Sequence, residues 1–223
     1  MNSLRDAVIC FRTRGAVPVG RTPTTIVSGA KGRMAAVSPA RRPAAAEAGE
    51  GLFEVIAQRG SSRAFTSKPV PDALLQQILQ AANRAPSAGN LQAYRIFVVS
   101  DSRTRHVLAS ACGEQDWVAQ APVTLVFFAD PMRSGNRYGQ RGRQLYCVQD
   151  ATTACAYAQL AATALGLGSV WVGAIFQPDV IRDALGITGV EWPVAVLPIG
   201  YPAERSEPGP RRPLGDLVSY LKG

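Results

Sequence analysis

Two guanidiniums and two hydroxyls fall within five residues of "QRGSSRAF" (Gln58–Phe65): Arg59, Ser61, Ser62 and Arg63. Arginine offers forked, charge-assisted donors and serine adds short neutral ones, a donor set that suits a phosphate. A plainer reading is a solvated helix end with ordinary surface arginines. In "RAPSAGNLQAYR" (Arg84–Arg95), Pro86, Ser87, Asn90 and Gln92 surround Gly89, whose bare backbone a ligand can approach closely. A turn needs one or two such residues. The stretch therefore suits a flat heterocycle with polar edge atoms, and a turn holding a strained Asn accounts for it as well. "GLGSVWVGA" (Gly166–Ala174) is not a dinucleotide fingerprint, because its glycines follow a helix and precede a strand. Gly166 and Gly168 read as the close of a helix. Gly173, next to Val172, reads as a backbone amide that meets something flat. Trp171 is core or pocket wall. Arg211 and Arg212 in "PGPRRPLGDL" are either a solvated connector or return to join Arg59 and Arg63 around one phosphate.

Other chemistries are excluded or unsupported. His106 is the one histidine, so a His-rich metal site is excluded, and a Ser-His-Asp triad would have to use a residue at an exposed helix start. Cys10, Cys112, Cys147 and Cys155 form neither a CxxC pair nor a disulfide framework, which reads as reduced, partly buried thiols in a cytosol-like compartment. No catalytic acid–base pair and no metal site stand out. The nearest thing to a membrane span, "QLYCVQDATTACAYAQLAATALGLG", carries Asp150 and three glutamines and reads as a buried helix lined with small residues.

The elements that must position these residues follow from periodicity. "LFEVIAQR" has helical spacing, and order begins near Leu52. "PDALLQQILQAANR" is a stronger helix, opened by Pro71 and Asp72 and striped by Leu74, Leu75, Ile78, Leu79 and Ala82. "RIFVVS" is a strand, residues 102–111 a short helix, and "APVTLVFFAD" a strand covered on both faces. "PMRSGNRYGQRGR" reads as a loop of high turn content. A long helix runs from about Gln144 to Leu165, "SVWVGAI" is a strand or strand end, "PDVIRDAL" a helix, "WPVAVLPIGYP" a strand and "PLGDLVSYL" a terminal helix. Helices and strands mix without strict alternation, so the expected fold class is α+β, a central sheet wrapped by helices.

At 223 residues the chain is long enough for one good-sized domain. The net charge of +8 is unevenly spread, with +7 in residues 1–46. The body is near neutral, so a basic face for polyanions must be sought in the tail. Residues 1–50 read as a disordered basic extension and 51–223 as the folded domain. The extension's Arg-rich, acid-poor composition fits an organelle transit peptide, and an over-long start with Met34 as the true one fits too. Without such targeting the expected location is cytoplasmic.

In this order, "RGSSRAF", "APSAGNLQAYR", "D…AA…GLGSVWVGA", "IGYP" and "PRRPL" resemble the nitroreductase-like family of FMN-dependent NAD(P)H oxidoreductases, over roughly Leu52 to Leu221. The resemblance implies a central mixed or antiparallel sheet and a homodimer that binds FMN at its two-fold interface. It places Arg59, Ser61, Arg63 and Arg211, assisted by Arg212, on the phosphate and ribityl chain. Pro86, Ser87, Asn90 and Gln92 contact the flavin, and Val172 and Gly173 run beside its ring. Gly60 stands where the family commonly has a polar side chain, and Ala93-Tyr94 where it usually has Pro-Trp. The cofactor carries the chemistry. The expected cycle is ping-pong: NADH or NADPH gives hydride to the flavin, then a nitroaromatic or quinone-type acceptor takes its place. A lid would span Pro131–Cys147, where Arg133, Arg137, Arg141 and Arg143 favour an anionic cofactor or substrate. Two other readings stand beside this one. One is a non-catalytic flavin-binding or sensor protein. The other is polyanion binding through the basic extension, although nucleic acid is not the expected partner.

Overall fold

The apolar run "VTLVFFA" sets the architecture. In the computed structural model, which describes residues 45–204 and 206–221 (side chains from 51), every residue of this run is buried. It is strand β2 below. The elements in chain order are α1 (Ala45–Gln58), α2 (Asp72–Asn83), β1 (Tyr94–Val99), α3 (Ser102–Ala111), α4 (Asp116–Gln120), β2 (Val123–Ala129) and α5 (Pro131–Arg141). They continue with α6 (Cys147–Ala164), β3 (Gly168–Ser169), α7 (Pro178–Ala184) and β4 (Trp192–Gly200). The four strands form one antiparallel sheet in the order β1-β2-β4-β3.

Strand alternation sends Val123, Leu125 and Phe127 to one face of the sheet, against Ile78 and Ala82 of α2 and Ala154, Cys155, Ala158 and Ala162 of α6. Val126 and Phe128 go to the other face, against Leu108 of α3, Val118 of α4 and Ile181 of α7. Helices thus cover both faces, and the expected α+β class, with its antiparallel sheet, is what the chain adopts. Helix α6 lies on the core through alanines and Cys155, whose small side chains let it approach the sheet closely. It ends in a Schellman cap: Leu165 is followed by Gly166 at φ 73°, Gly166 N donates to Thr163 O at 3.0 Å and Leu167 N to Ala162 O at 2.9 Å.

Local expectations change in four places. Residues 131–143, read as loop, form helix α5 and a π turn (Gly142–Tyr146) that runs into α6. The Asp130 side chain caps α5 by accepting from Arg133 N at 2.9 Å, and Pro131 sits at the first helical position, so the residues taken for a turn are a helix start. Only Gly139, at φ 58° and ψ −141°, breaks the helix. The terminal helix shrinks to one 3-10 turn, Leu214–Asp216, and Tyr220 and Leu221 beyond it are 83% and 98% exposed. A segment this short stays helical only if an apolar face packs against something, and none of this chain's described residues covers it. At "SVWVGAI", read as a strand or strand end, the structure has the end of β3 (Gly168–Ser169) and a bridge between Val172 and Val196. Helix α1 begins at Ala45, ahead of the expected onset of order. The extension read at residues 1–50 otherwise lies outside the described residues, Cys10 included.

Cys112, Cys147 and Cys155 are free and buried, and burial pushes the Cys112 thiol up to about 11. Among the described residues, no helix is long and apolar enough to cross a membrane, and no group of His, Cys, Asp and Glu could hold a metal ion.

The α5–π junction depends on one close approach. A Cβ added to Gly142 would stand 2.5 Å from the Ser134 carbonyl oxygen and 2.8 Å from its carbon, and backbone cannot yield as a side chain can. Gly142→Ala should destabilise the protein by about 1–3 kcal/mol, each kcal/mol lowering Tm by roughly 2–4 °C. An unchanged Tm in calorimetry would rule out this contact.

Candidate functional site

Two groups of the candidate residues are assembled by the fold at two places on the chain. The first begins where α1 stops. Residues 59–66 run extended along the end of the sheet: Ser62 N donates to Ser169 O at 3.0 Å, Thr66 N to Tyr201 O at 2.9 Å, and Phe65 bridges Pro202. Arg59, Ser61 and Arg63 line one side of this segment and Ser62 the other. The three converge with Arg211, Gly209 and Glu207 around a cleft of about 290 Å³. Arg63 also lies over the Trp117 ring, 5.8 Å from its centroid. The two ion pairs among the described residues are Arg95–Glu191 and Arg182–Asp179, so none of the three cleft arginines forms a salt bridge with a described residue. Ser62, on the other side, meets Ser206 Oγ at 3.2 Å and lines an adjoining cleft of about 550 Å³. Gly60 has a packing reason: a Cβ there would lie 2.5 Å from Ser206 Oγ and 2.8 Å from the Ser206 carbonyl oxygen. Arg212 does not line the cleft and donates instead to Asp216 O at 3.3 Å.

The second group is the amide-rich loop that follows the exposed Pro86. Gly89, Asn90 and Gln92 all have left-handed backbones, at φ 58°, 57° and 45°. That is strained for Gln and persists only where the surroundings enforce it. Ser87 Oγ accepts from Gln92 N at 3.0 Å and from Gln92 Nε2 at 3.1 Å, and Gln92 Nε2 also donates to Asn90 Oδ1 at 2.5 Å. Ser87, Asn90 and Gln92 are therefore one network. The Asn90 amide nitrogen and the Gln92 side-chain oxygen carry no partner among the described residues.

Charged side chains hold this loop from two sides. Asp150 of α6, 3% exposed, accepts from Ala88 N at 2.8 Å through Oδ1 and from Ala93 N at 3.2 Å through Oδ2. A proline at position 93 would lack the second donor, so Ala93 makes the two-pronged grip possible. Arg137 of α5 donates to Gly89 O at 3.2 Å, and Arg133 donates to Leu91 O. Next to the loop, burial and then the Asp150 charge raise the Tyr94 phenol above its ordinary value, and its hydroxyl donates to Ala82 O at 3.3 Å. Sequence reasoning noted Asp150 as a charge on a small-residue helix but not as the anchor of this loop. That lone carboxylate was the available signal.

Val172 is buried and exchanges both backbone bonds with Val196 at 2.9 Å. Gly173 follows it on the surface, and a Cβ there would meet nothing nearer than Trp171 Nε1 at 3.7 Å. Neither packing nor a positive φ requires glycine at this position. Trp171 packs against the core on the α2/α6 face. His106 is exposed on α3, its Nδ1 2.8 Å from Ser102 O, and stands with none of these groups.

A helix-covered antiparallel sheet thus carries an arginine-lined cleft at one place and a hydrogen-bonded amide loop at another, on an α+β scaffold. The nitroreductase family's sequence profile matches residues 56–115 and 102–201. A protein of Thermus thermophilus named NADH dehydrogenase is 36% identical over 73% of this chain and 92% of its own length. The FMN reductase [NAD(P)H] of Bacillus subtilis is 34% identical over 73% of this chain and 70% of its own. The solved structure of the NADPH:FMN oxidoreductase of Vibrio harveyi complexed with NAD+ matches with a TM-score of 0.71 at 28% identity, covering 78% of this chain and 77% of that one. The chain belongs to the nitroreductase family.

Proposed function

We propose that the protein is an NAD(P)H-dependent FMN oxidoreductase that passes reducing equivalents to a small nitroaromatic or quinone-type acceptor. The observation that carries this is the cleft where Arg59, Ser61, Arg63 and Arg211 converge, with no ion-pair partner among the described residues. Three guanidiniums and a hydroxyl suit a phosphate monoester, and the open face of Gly173 suits a flat ring that no side chain obstructs. These residues fit FMN. Bound there, FMN would supply a ring that accepts and returns hydride, so donor and acceptor use one face in turn, in ping-pong order.

The chain's own residues then have defined tasks. Arg59, Ser61, Arg63 and Arg211 hold the phosphate and the sugar-alcohol chain. The Gly173 backbone, fixed by the Val172–Val196 bridge, stands against the ring. The Asn90 side-chain nitrogen and the Gln92 side-chain oxygen, unpartnered among the described residues, serve the ring's polar edge. The cleft beside the arginine cleft, sharing Gly60 and Glu207 with it, is lined by Thr163 and Gly166 at the C-terminal end of α6, whereas the amide loop hangs on Asp150 near its start. The thirteen-residue step from Asp150 to Thr163 spans about 20 Å of helix. A second copy, related by a two-fold axis, brings the loop of one subunit to the cleft of the other. Leu52, Phe53 and Ile56 on α1 and Leu214, Leu217, Tyr220 and Leu221 near the C-terminus are exposed apolar groups for that interface.

The visible absorbance of the purified protein tests this reading, with the pigment released by heat and identified. The expected result is a yellow dimer with about one FMN per chain that oxidises NADH or NADPH with parallel double-reciprocal lines against acceptor. A colourless protein that takes up no FMN at micromolar concentration overturns the reading. A yellow protein that consumes neither nucleotide with any acceptor leaves a flavin-binding module without turnover.

A further inference from the structure

The segment that clamps the amide loop also carries side chains the loop does not use. Tyr138 and Tyr146 meet edge to face, with ring centroids 5.2 Å apart and planes at 83°. The Arg137 guanidinium lies 5.5 Å from the Tyr138 centroid and that of Arg141 5.6 Å from the Tyr146 centroid. Arg141 Nε donates to the Tyr146 hydroxyl at 3.1 Å. The four side chains form a continuous row, Arg137–Tyr138–Tyr146–Arg141, and the Tyr138 hydroxyl stands where a side chain on Gly89 would be. The row is thus joined to the amide loop. Helical periodicity does not build it. Gly139, at φ 58° and ψ −141°, breaks α5 between the two arginines, and the π turn returns Tyr146 to Tyr138.

The electrostatics of the row are one-sided. Residues 131–149 hold four arginines and no carboxylate, and the loop at 84–95 has no acidic residue either. Asp130 is occupied as the cap of α5, and Asp150 is buried against the loop amides. Among the described residues, neither Arg137 nor Arg141 has a salt bridge. Exposed arginines are ordinarily solvated and mobile, but these two are braced by aromatic rings and hydrogen bonds that leave their outer N–H groups free. Two braced guanidinium forks without a counter-charge are pre-organised for a dianion.

We infer that Arg137 and Arg141, braced on Tyr138 and Tyr146, form a subsite for a dianionic phosphate on the nicotinamide donor, so that NADPH is preferred to NADH. The inference rests on the flavin reading of the amide loop, because that loop is what brings the row beside the reacting groups. An anionic acceptor offers similar chemistry, so the test separates the two.

The probe is adenosine 2′,5′-bisphosphate, compared with 5′-AMP by titration calorimetry on the full chain and on Arg141→Gln and Arg137→Gln/Arg141→Gln. Expected is a preference of about tenfold or more for the bisphosphate in the parent. That preference should shrink in Arg141→Gln, vanish in the double variant and weaken with salt. The ratio of NADPH to NADH Michaelis constants should rise by a similar factor, and FMN absorbance reports whether the loop survives the Arg137 change. No bisphosphate preference in the parent, or one unaltered in Arg141→Gln, overturns the inference. So does a loss confined to a carboxylated nitroaromatic acceptor, with nucleotide binding unaffected. A protein without FMN that still prefers the bisphosphate would leave the subsite standing and remove the flavin reading. A yellow protein without the preference would do the reverse.

Discussion

Asp150→Ala is expected to destabilise the protein by about 2–5 kcal/mol and to abolish tight FMN binding. The carboxylate is the acceptor for two loop amides, Ala88 N and Ala93 N, the second fully buried. Removing it leaves both donors unsatisfied, and each buried orphan costs about 1–3 kcal/mol. The loop it releases holds Gly89, Asn90 and Gln92 in left-handed backbone conformations that relax without an anchor. Asp150→Asn keeps one acceptor oxygen and turns an NH₂ group toward the other amide, so it should fall between. Chemical denaturation and FMN titration measure the two effects separately. A variant that loses stability but binds FMN within twofold of the parent would show that the anchor does not govern the cofactor. The Arg137→Gln change removes a different hold, on Gly89 O, and should weaken FMN far less.

The second large effect concerns the cleft. Arg59→Ala and Arg211→Ala should each weaken FMN by about 10–100-fold, the equivalent of one charge-assisted hydrogen bond of about 1.5–3 kcal/mol. Riboflavin, which lacks the phosphate, should bind each variant within about twofold of the parent. That contrast separates loss of a phosphate contact from general damage to the site. Both arginines lack ion-pair partners among the described residues, so neither substitution strands a buried carboxylate, and Tm should move little. Equal weakening of FMN and riboflavin would mean that these arginines shape the site without holding the phosphate. Arg212→Ala is the internal comparison: its guanidinium is turned to Asp216 O, and its effect on FMN should be small.

Much of the fold was legible because its signals are local. The run "VTLVFFA" has no polar face to offer water, so it had to be a strand covered on both sides. The α2 stripe and the glycine after Leu165 needed only spacing and backbone freedom to be read. Two segments misled for opposite reasons. "PMRSGNRYGQRGR" is rich in turn formers, yet Asp130 and Pro131 serve as well to cap and start a helix, and only packing decides which. "PLGDLVSYL" has helical spacing, but spacing without an apolar surface to cover does not sustain a short helix, and the described residues offer that segment none.

The candidate site divides in the same way. The sequence by itself determined the chemistry available: alternating arginines and serines after α1, a loop of short amides and hydroxyls, a glycine beside an apolar strand, and one carboxylate on a helix of small residues. Only the tertiary structure decided which of these act together. It put Arg211 with Arg59 and Arg63 and turned Arg212 away. It carried Asp150 to amides 62 and 57 residues distant, and laid α5 over the loop. The physical reason is that such meetings are set by how α6 and α5 pack on the sheet. That packing is the sum of many apolar contacts far apart in sequence, so no spacing between the meeting residues records it.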